Sequence, residues 1–134
     1  FADHHPLSRV EKEHTFEDAV PGAMGLETAL SAVFTAVGMS FIEQIVESMS
    51  VRPASLFGVV KSLQIDHQVD MVLFDPKAEW FPQKPFFSKG INEPLSLFCK
   101  LNGPLKGRVV GTRRNDEWTY LAETLKQRLV NVEQ

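Results

Sequence analysis

Prolines and glycines divide this chain at fixed points and so limit where helices and strands can run. Pro21-Gly22 ends a polar, charged stretch over residues 8–20, which predicts a surface loop. A denser group falls within residues 77–104, which hold Pro82, Pro85, Pro94 and Pro104 together with Gly90 and Gly103. Such a passage is typical of extended, loop-rich structure.

Between these breaks the first half of the chain has helical periodicity. Apolar residues recur three and four apart and predict a helix at about 24–37. A second helix is predicted from about 41 to 49, because Ser40 and Glu43 have the form of a capping box ahead of an apolar stripe. Pro53 predicts the end of that helix and the start of a short third one.

The second half of the chain favours strands. Residues 69–74 alternate with a period of two, which predicts a half-buried strand closed by Asp75-Pro76. Asn115-Asp116 separates two strand-like runs and predicts a hairpin turn. Three leucines spaced four apart predict a C-terminal helix: Leu121, Leu125 and Leu129. Helices followed by short strands give an α/β chain.

Composition excludes several classes of protein. The 134 residues are too few for a complete (β/α)8 barrel, which takes about 250. Lys and Arg number 14 against 17 Asp and Glu, a net charge of -3, so we expect no nucleic-acid partner. We expect no membrane span or signal peptide, because the apolar runs are short. The single cysteine, Cys99, excludes an internal disulfide framework and suits the cytoplasm.

The one cluster suited to chemistry lies at the start of the chain. Asp3, His4 and His5 are residue types that bind zinc or relay protons at neutral pH. A solvated terminus explains the same cluster. A zinc site needs three or four converging ligands, and the other histidines, His14 and His67, lie in a charged loop and a predicted turn. The chain therefore does not complete a metal site by itself.

Several longer motifs resemble the bacterial-type dihydroorotases. That family has a D-H-A-P-H strand end, then E-K, then A-P-x-G-x-x-G-L-E-T-A, and later segments N-P-A, A-D-L-V-L-F-D-P and F-x-S-K-x-x-N-x-P. The matching segments here are Asp3-His4-His5-Pro6-Leu7, Glu11-Lys12, Ala19–Leu30, Arg52-Pro53-Ala54, Val69–Pro76 and Phe87–Pro94. The strand motif indicates only the amidohydrolase superfamily, whereas the G-L-E-T-A and S-K-x-x-N-x-P motifs point to dihydroorotase. The resemblance covers residues 1 to about 112.

The resemblance implies an architecture for the chain. It would be the C-terminal part of a metal-dependent (β/α)8 barrel hydrolase, with the last strand and helices, and segments of a small β-sandwich domain. Residues 1–58 would end the barrel, 59–120 would supply the β-domain segments, and 121–134 would form a helical tail.

The resemblance also implies a reaction. Dihydroorotases interconvert N-carbamoyl-aspartate and dihydroorotate in pyrimidine biosynthesis, with one or two Zn²⁺ per active site. Asp3 would bind the more exposed zinc and act as the catalytic base, taking a proton and delivering it to the leaving nitrogen. The other metal ligands lie outside this chain, so the chain alone is expected to be inactive.

Three further positions concern the substrate. Pro21 and Gly22 align with the pair whose backbone contacts it, and only Gly22 has an N–H to donate. Leu7 stands where the family has the histidine that grips the substrate carboxylate, and losing one such bond costs about 1.5–3 kcal/mol. If the segment is extended, His5 points to the same side as position 7 and is a candidate to replace that histidine in part.

Two classes of function therefore stand side by side. The first is the zinc hydrolase, acting on a small cyclic amide in the cytoplasm, with the remainder of the barrel as partner and a possible homo-oligomer. The second is a non-catalytic dihydroorotase-like subunit that partners aspartate transcarbamoylase, a reading motivated by Leu7. A small independent α/β domain is a third interpretation, but residues 77–104 make poor sense without a surface to lie on.

Overall fold

The structure, a computed structural model, describes residues 3–59, 68, 70–83 and 86–130, and only the backbone of residues 97 and 128–130. Two predictions lie outside the described residues: the turn at His67 and the start of the strand at Val69. The helices are α1 Arg9–Lys12, α2 Ala29–Val37, α3 Ile42–Val46, α4 Arg52–Leu56, α5 Leu95–Asn102 and α6 Glu123–Val130, and the strands are β1 Met71–Trp80, β2 Leu105–Arg114 and β3 Glu117–Leu121. Helices and strands together confirm the α/β class.

The polar stretch before Pro21 is exposed, as predicted, but it is not all loop. The stretch begins with the one-turn helix α1. The Ser8 hydroxyl accepts a hydrogen bond from the Glu11 N–H, and the Glu11 carboxylate accepts one from the Ser8 N–H at 2.8 Å. Both halves of a capping box are therefore present. These hydrogen bonds from Ser8 hold the pKa of Glu11 below its ordinary value.

Helix α2 begins later than the predicted residue 24. Residues 26–28 form a turn in which the backbone N–H and the hydroxyl of Thr28 both donate to the Gly25 carbonyl. Side-chain hydrogen bonds of this kind compete with the helical pattern and delay the start of a helix. The N–H of Gly38 bonds to the Phe34 carbonyl and ends α2 at the predicted place.

The predicted break at Pro53 is wrong, because helical structure continues through it. A 3₁₀ turn over Met39–Phe41, helix α3, a π turn over Glu47–Val51 and helix α4 follow one another without a gap. The predicted capping box is also wrong, since Ser40 lies inside the 3₁₀ turn and α3 has no side-chain cap. Pro53 falls in the first turn of α4, where its missing N–H costs little.

The three strands form one antiparallel sheet in the order β1-β2-β3. The hairpin at Asn115-Asp116 is confirmed, with φ of 49° and 65° at the two residues, as expected for a tight two-residue turn. The predicted end of β1 at Asp75-Pro76 is wrong. A register shift between Asp75 and Glu79 takes the proline out of the ladder, and pairing resumes to Trp80.

The proline-containing passage is more ordered than predicted. Its first residues continue β1, and Leu95–Asn102 form α5. The Glu93 carboxylate starts this helix by accepting hydrogen bonds from the backbone N–H groups of Leu95 and Ser96, at 2.7 and 3.0 Å. Proline immediately before a helix does not oppose it, which is why Pro94 was a poor sign of a loop.

The core joins α2 to the sheet. The Phe34 ring meets the Phe74 ring edge to face, with 5.1 Å between centroids. The Lys106 N–H donates to the Thr35 hydroxyl at 2.8 Å and ties β2 to the same helix. Gly107, at φ 74°, lies beneath both rings, where a Cβ atom would collide with Phe74 and Phe34. Glycine is thus required there by conformation and by space.

Cys99, Trp80 and Phe87 differ in how far their side chains are buried. Cys99 is buried, 1% exposed, and burial, followed by the charge of Glu93, raises the pKa of its thiol. Trp80 is partly buried, and its indole N–H donates to the Gly107 carbonyl at 2.9 Å. Phe87, by contrast, is 81% exposed.

Within the described residues no single helix is long and apolar enough to cross a membrane. One pair, Ala29–Val37 with Met39–Leu56, reaches that length and composition only when taken together, across a bend of 110°.

Candidate functional site

Three segments far apart in sequence meet at the start of the chain: residues 3–7, 22–28 and 87–93. We call them the three-segment cluster. The first two are joined by a short parallel bridge between His4 and Ala23, in which the His5 N–H donates to the Ala23 carbonyl at 2.9 Å. The Asp-His-His sequence is therefore held against the loop that contains Gly22.

Asn92 links the third segment to the other two. Its Nδ2 donates to the carbonyls of His5 and Gly22 at 2.8 and 3.0 Å, and its Oδ1 accepts from the Leu7 N–H at 2.9 Å. The Asn92 carbonyl also accepts from the Met24 N–H at 3.0 Å. One residue thus satisfies four backbone groups of the neighbouring segments.

His4 has a structural part in the cluster. Its Nδ1 accepts from the backbone N–H groups of Gly25 and Leu26 at 3.2 and 3.1 Å, so this nitrogen carries no proton. The proton of the neutral ring is then on Nε2, which donates to the Ser88 hydroxyl at 3.3 Å. Because both ring nitrogens are engaged by the protein, His4 is not placed to bind a metal.

Glu27 joins the second segment of the cluster, residues 22–28, to the third, residues 87–93. Its carboxylate oxygens accept from the backbone N–H groups of Phe87 and Ser88, each at 2.9 Å. Partial desolvation opposes ionisation, but the hydrogen bonds from Ser88 and Phe87 outweigh it and hold the pKa of Glu27 below its ordinary value.

Gly22 and His5, two of the predicted substrate-binding residues, lie in contact. Gly22 has a φ of 137°, and a Cβ atom there would stand 2.8 Å from His5 Nδ1. Both residues are exposed, as is Pro21. Among the described residues the Gly22 N–H has no hydrogen-bond acceptor. The cluster therefore presents one unused backbone donor beside an imidazole, and the assigned roles stay predictions.

Asp3 is exposed and lies one residue before the bridge at His4. It has a φ of 42°, which aspartate tolerates better than most residues. Within the described part of the chain its carboxylate has no hydrogen-bond or ion-pair partner, and no three His, Cys, Asp or Glu side chains are grouped to hold a metal ion. Asp3 can supply one ligand, and these residues alone do not make a zinc site.

Leu7 departs from what its position in the motif suggests. The side chain is 2% exposed, whereas His5, two residues earlier, is exposed. The two side chains do not share an environment, because hydrogen bonds of the Leu7 N–H and carbonyl turn the backbone toward residues 91 and 92. An apolar side chain gains by burial, so Leu7 belongs to the packed interior.

Comparison with known proteins identifies the relatives of this chain. No protein-family model matches it. The dihydroorotase of Aquifex aeolicus is 32% identical over 126 residues, covering 88% of this chain and 28% of the relative. Those of Clostridioides difficile and Geotalea daltonii are each 35% identical, over 75% and 83% of this chain and 25% and 28% of the relatives. This chain matches a C-terminal portion of the dihydroorotases.

The match extends over most of this chain but little of its relatives. The chain spans about a quarter of the length of the dihydroorotases that it matches. The dihydroorotase resemblance read from the motifs is thereby confirmed at the level of the family.

Three residues of the cluster were not singled out from the sequence as functional: Glu27, Ser88 and Asn92. All three lie inside the two motifs that point most specifically to dihydroorotase, G-L-E-T-A and S-K-x-x-N-x-P. Their place inside these two motifs was the sequence signal that could have identified them. It did not show that the two motifs are in contact, which the Glu27 and His4 hydrogen bonds now establish.

Proposed function

We propose that this chain is the C-terminal part of a zinc-dependent dihydroorotase, which interconverts N-carbamoyl-L-aspartate and dihydroorotate in pyrimidine biosynthesis. The observation that carries the proposal is the exposed Asp3 carboxylate, which has no partner among the described residues and lies beside the loop that contains Gly22, in a chain that matches dihydroorotases over most of its length. The residue roles come from the motif resemblance, and the geometry of the cluster supports them.

In this proposal Asp3 is the catalytic residue of the chain. Its exposed carboxylate is available to take a proton from the attacking water and to return it to the leaving ring nitrogen. The Gly22 N–H donates a hydrogen bond to the substrate, which Pro21 cannot do because it has no N–H. His5, in contact with Gly22, lines the same surface.

Asp3 is the one residue of this chain that we propose as a zinc ligand. Zn²⁺, when bound, lowers the pKa of water and polarises the amide carbonyl. A carboxylate oxygen is an accepted zinc ligand, and Asp3 would supply one. The further ligands of one or two zinc ions come from outside this chain, so the chain by itself is inactive.

The proposed architecture gives the exposed apolar side chains a partner. We assign residues 1–58 to the end of a (β/α)8 barrel, 59–120 to a small β-domain and 121–134 to a helical tail. Large apolar side chains are exposed from the 3₁₀ turn before α3 to the residue after α4, among them Phe41 at 51%, Leu56 at 83% and Phe57 at 83%. Burying this surface against the remainder of the barrel would recover about 25 cal/mol for each Å². A cytoplasmic enzyme, alone or as a homo-oligomer, fits the proposal.

A second candidate is a non-catalytic dihydroorotase-like subunit that partners aspartate transcarbamoylase. Leu7 favours it, because the position that would hold the substrate carboxylate is taken by a buried apolar side chain. The loss of one charged hydrogen bond lowers substrate affinity by about ten- to 150-fold. An enzyme with that lower substrate affinity would still turn over its substrate, whereas a non-catalytic subunit would be unaffected because it binds no substrate.

The experiment that tests the proposal substitutes Asp3→Asn in the protein that carries this chain, with the rest of the barrel present. We expect hydrolysis of dihydroorotate to fall by about 10³-fold or more while the melting temperature stays within about 2 °C, since Asp3 is exposed and its carboxylate has no partner in the described part of the chain. The matched control is Glu17→Gln, because Glu17 is another exposed carboxylate without a partner among the described residues. Full activity of Asp3→Asn would refute the assignment.

A further inference from the structure

The Gly22 N–H must be held in a fixed orientation if it is to donate to a substrate. This donor is the backbone N–H of a glycine at φ 137°, and glycine has more backbone freedom than any other residue. Pro21 and Gly22 are both exposed, so burial does not hold the loop in place. A donor that must meet a substrate needs some other restraint, because each freely rotating bond has to be ordered on binding.

Two hydrogen bonds supply that restraint. The Gly22 carbonyl accepts from Asn92 Nδ2 at 3.0 Å, and the next carbonyl, that of Ala23, accepts from the His5 N–H at 2.9 Å. The third and first segments of the cluster therefore each hold one of the two carbonyls that follow the Gly22 N–H. The His5 ring also occupies the space that a Cβ atom on Gly22 would fill, so the loop and the His5 segment lie close together here.

Asn92 also fixes the spacing between the loop and the segment that carries Asp3. The two hydrogens of one Nδ2 bind the His5 and Gly22 carbonyls, so these groups stay within the span of a single amide. The orientation of the amide is settled by its partners. The Leu7 N–H can only donate and so faces Oδ1, whereas the two carbonyls can only accept and so face Nδ2.

We propose that Asn92 is a positioning residue, which holds the Gly22 N–H and the Asp3 segment at the separation that the substrate requires. This inference rests on the proposed function for its substrate, and on the hydrogen bonds alone for the restraint. Asn92 does not touch the reacting atoms. It acts through the backbone of Gly22 and His5.

The backbone of the third segment stays attached without the Asn92 side chain. The Met24 N–H donates to the Asn92 carbonyl, and the Ile91 N–H donates to the Leu7 carbonyl, each at 3.0 Å. The Glu27 carboxylate holds the other end of the segment. A change confined to the side-chain amide should therefore leave the cluster assembled.

The test is Asn92→Asp, which keeps an acceptor for the Leu7 N–H and replaces both donated hydrogen bonds by an oxygen facing two carbonyls. The matched control is Asn102→Asp, which removes one hydrogen bond to the Phe98 carbonyl within α5, outside the cluster. Both variants are made in the protein that carries this chain, and Asn92→Ala provides a second removal of the two donors.

We expect the KM for dihydroorotate to rise about 5- to 100-fold in Asn92→Asp, the effect of two lost hydrogen bonds, with kcat changed by less than about threefold. Amide hydrogen exchange, read by mass spectrometry on peptides covering residues 20–25, should accelerate in Asn92→Asp and not in Asn102→Asp.

The two readouts separate the failure of this inference from the failure of the proposed function. An unchanged KM, or a fall in kcat matched by a fall in melting temperature, would overturn the positioning role. If the unsubstituted protein does not act on dihydroorotate, the proposed function fails. The exchange measurement then decides alone whether Asn92 restrains the loop. Faster exchange confined to residues 20–25 would then support the restraint by Asn92, and unaltered exchange would overturn it.

Discussion

Glu27→Gln tests whether the contact between the two most specific motifs stabilises the protein. The wild-type carboxylate accepts two backbone hydrogen bonds, from Phe87 and Ser88, at 2.9 Å each. Glutamine keeps one carbonyl oxygen for one of these donors and turns an NH₂ group toward the other. One charge-assisted bond is therefore lost and the second becomes a neutral bond.

The magnitude follows from the exposure of the site. Hydrogen bonds to charged groups contribute about 1.5–3 kcal/mol when shielded from water. Glu27 is exposed, so solvent screening reduces that figure, and we expect the free energy of unfolding to fall by about 1–2 kcal/mol at pH 7.

The pH dependence has a definite sign. The pKa of Glu27 is lowered in the folded protein from its ordinary value of 4.5. The stabilisation is therefore fully present above pH 4.5 and is lost as the pH falls through the folded-state pKa. Protonated glutamate resembles glutamine, so the difference between wild type and variant should shrink toward acid.

Urea unfolding followed by circular dichroism between pH 3 and 7 measures both effects. The control is Glu17→Gln, since Glu17 is exposed and has no hydrogen-bond or ion-pair partner within the described residues. Equal stability of the two variants at pH 7 would refute the reasoning, as would a difference that grows on acidification.

Two further substitutions test the packing. Phe34→Ala removes a ring that is 4% exposed and in contact with Phe74, and we expect a loss of about 3–5 kcal/mol in the free energy of unfolding, against no measurable loss for Phe16→Ala, which removes a ring that is 94% exposed. Leu7→His puts a polar imidazole where the side chain is 2% exposed, and we expect a loss of about 2–4 kcal/mol by the same assay. Wild-type stability of Leu7→His would show that position 7 is open to solvent.

The sequence predicted elements with a strong local signal. Apolar spacing located α2 and the C-terminal helix α6, and Asn115-Asp116 located the hairpin, because these signals depend on residues close together in the chain. The start of the C-terminal helix was predicted too early, since Leu121 ends β3 and α6 begins at Glu123. Prolines misled the prediction in two places. The short helix predicted to begin at Pro53 is confirmed as α4, but the break predicted before it is wrong, because helical structure continues through the proline. Pro76 was taken as the end of β1, whereas a bulge in an edge strand accepts a residue without an N–H.

The candidate site was predictable only in part. Asp3, His5 and Gly22 were singled out by their motif, and the structure places His5 against Gly22. The role of His4 as an acceptor for two backbone N–H groups and the central place of Asn92 depend on contacts across more than 20 and 80 residues. Hydrogen bonds over such separations leave no periodic pattern in the sequence.

The central claim is that this chain belongs to an enzyme that acts on dihydroorotate. The most direct measurement is the zinc-supplemented conversion of dihydroorotate to N-carbamoyl-aspartate by the protein that carries this chain, followed by ¹³C NMR in both directions. The account predicts turnover in both directions. The affinity for dihydroorotate should be lower than with a histidine at position 7, because the buried Leu7 side chain offers no hydrogen bond to the substrate carboxylate. Folded, zinc-loaded protein without turnover in either direction would contradict it and favour the non-catalytic subunit.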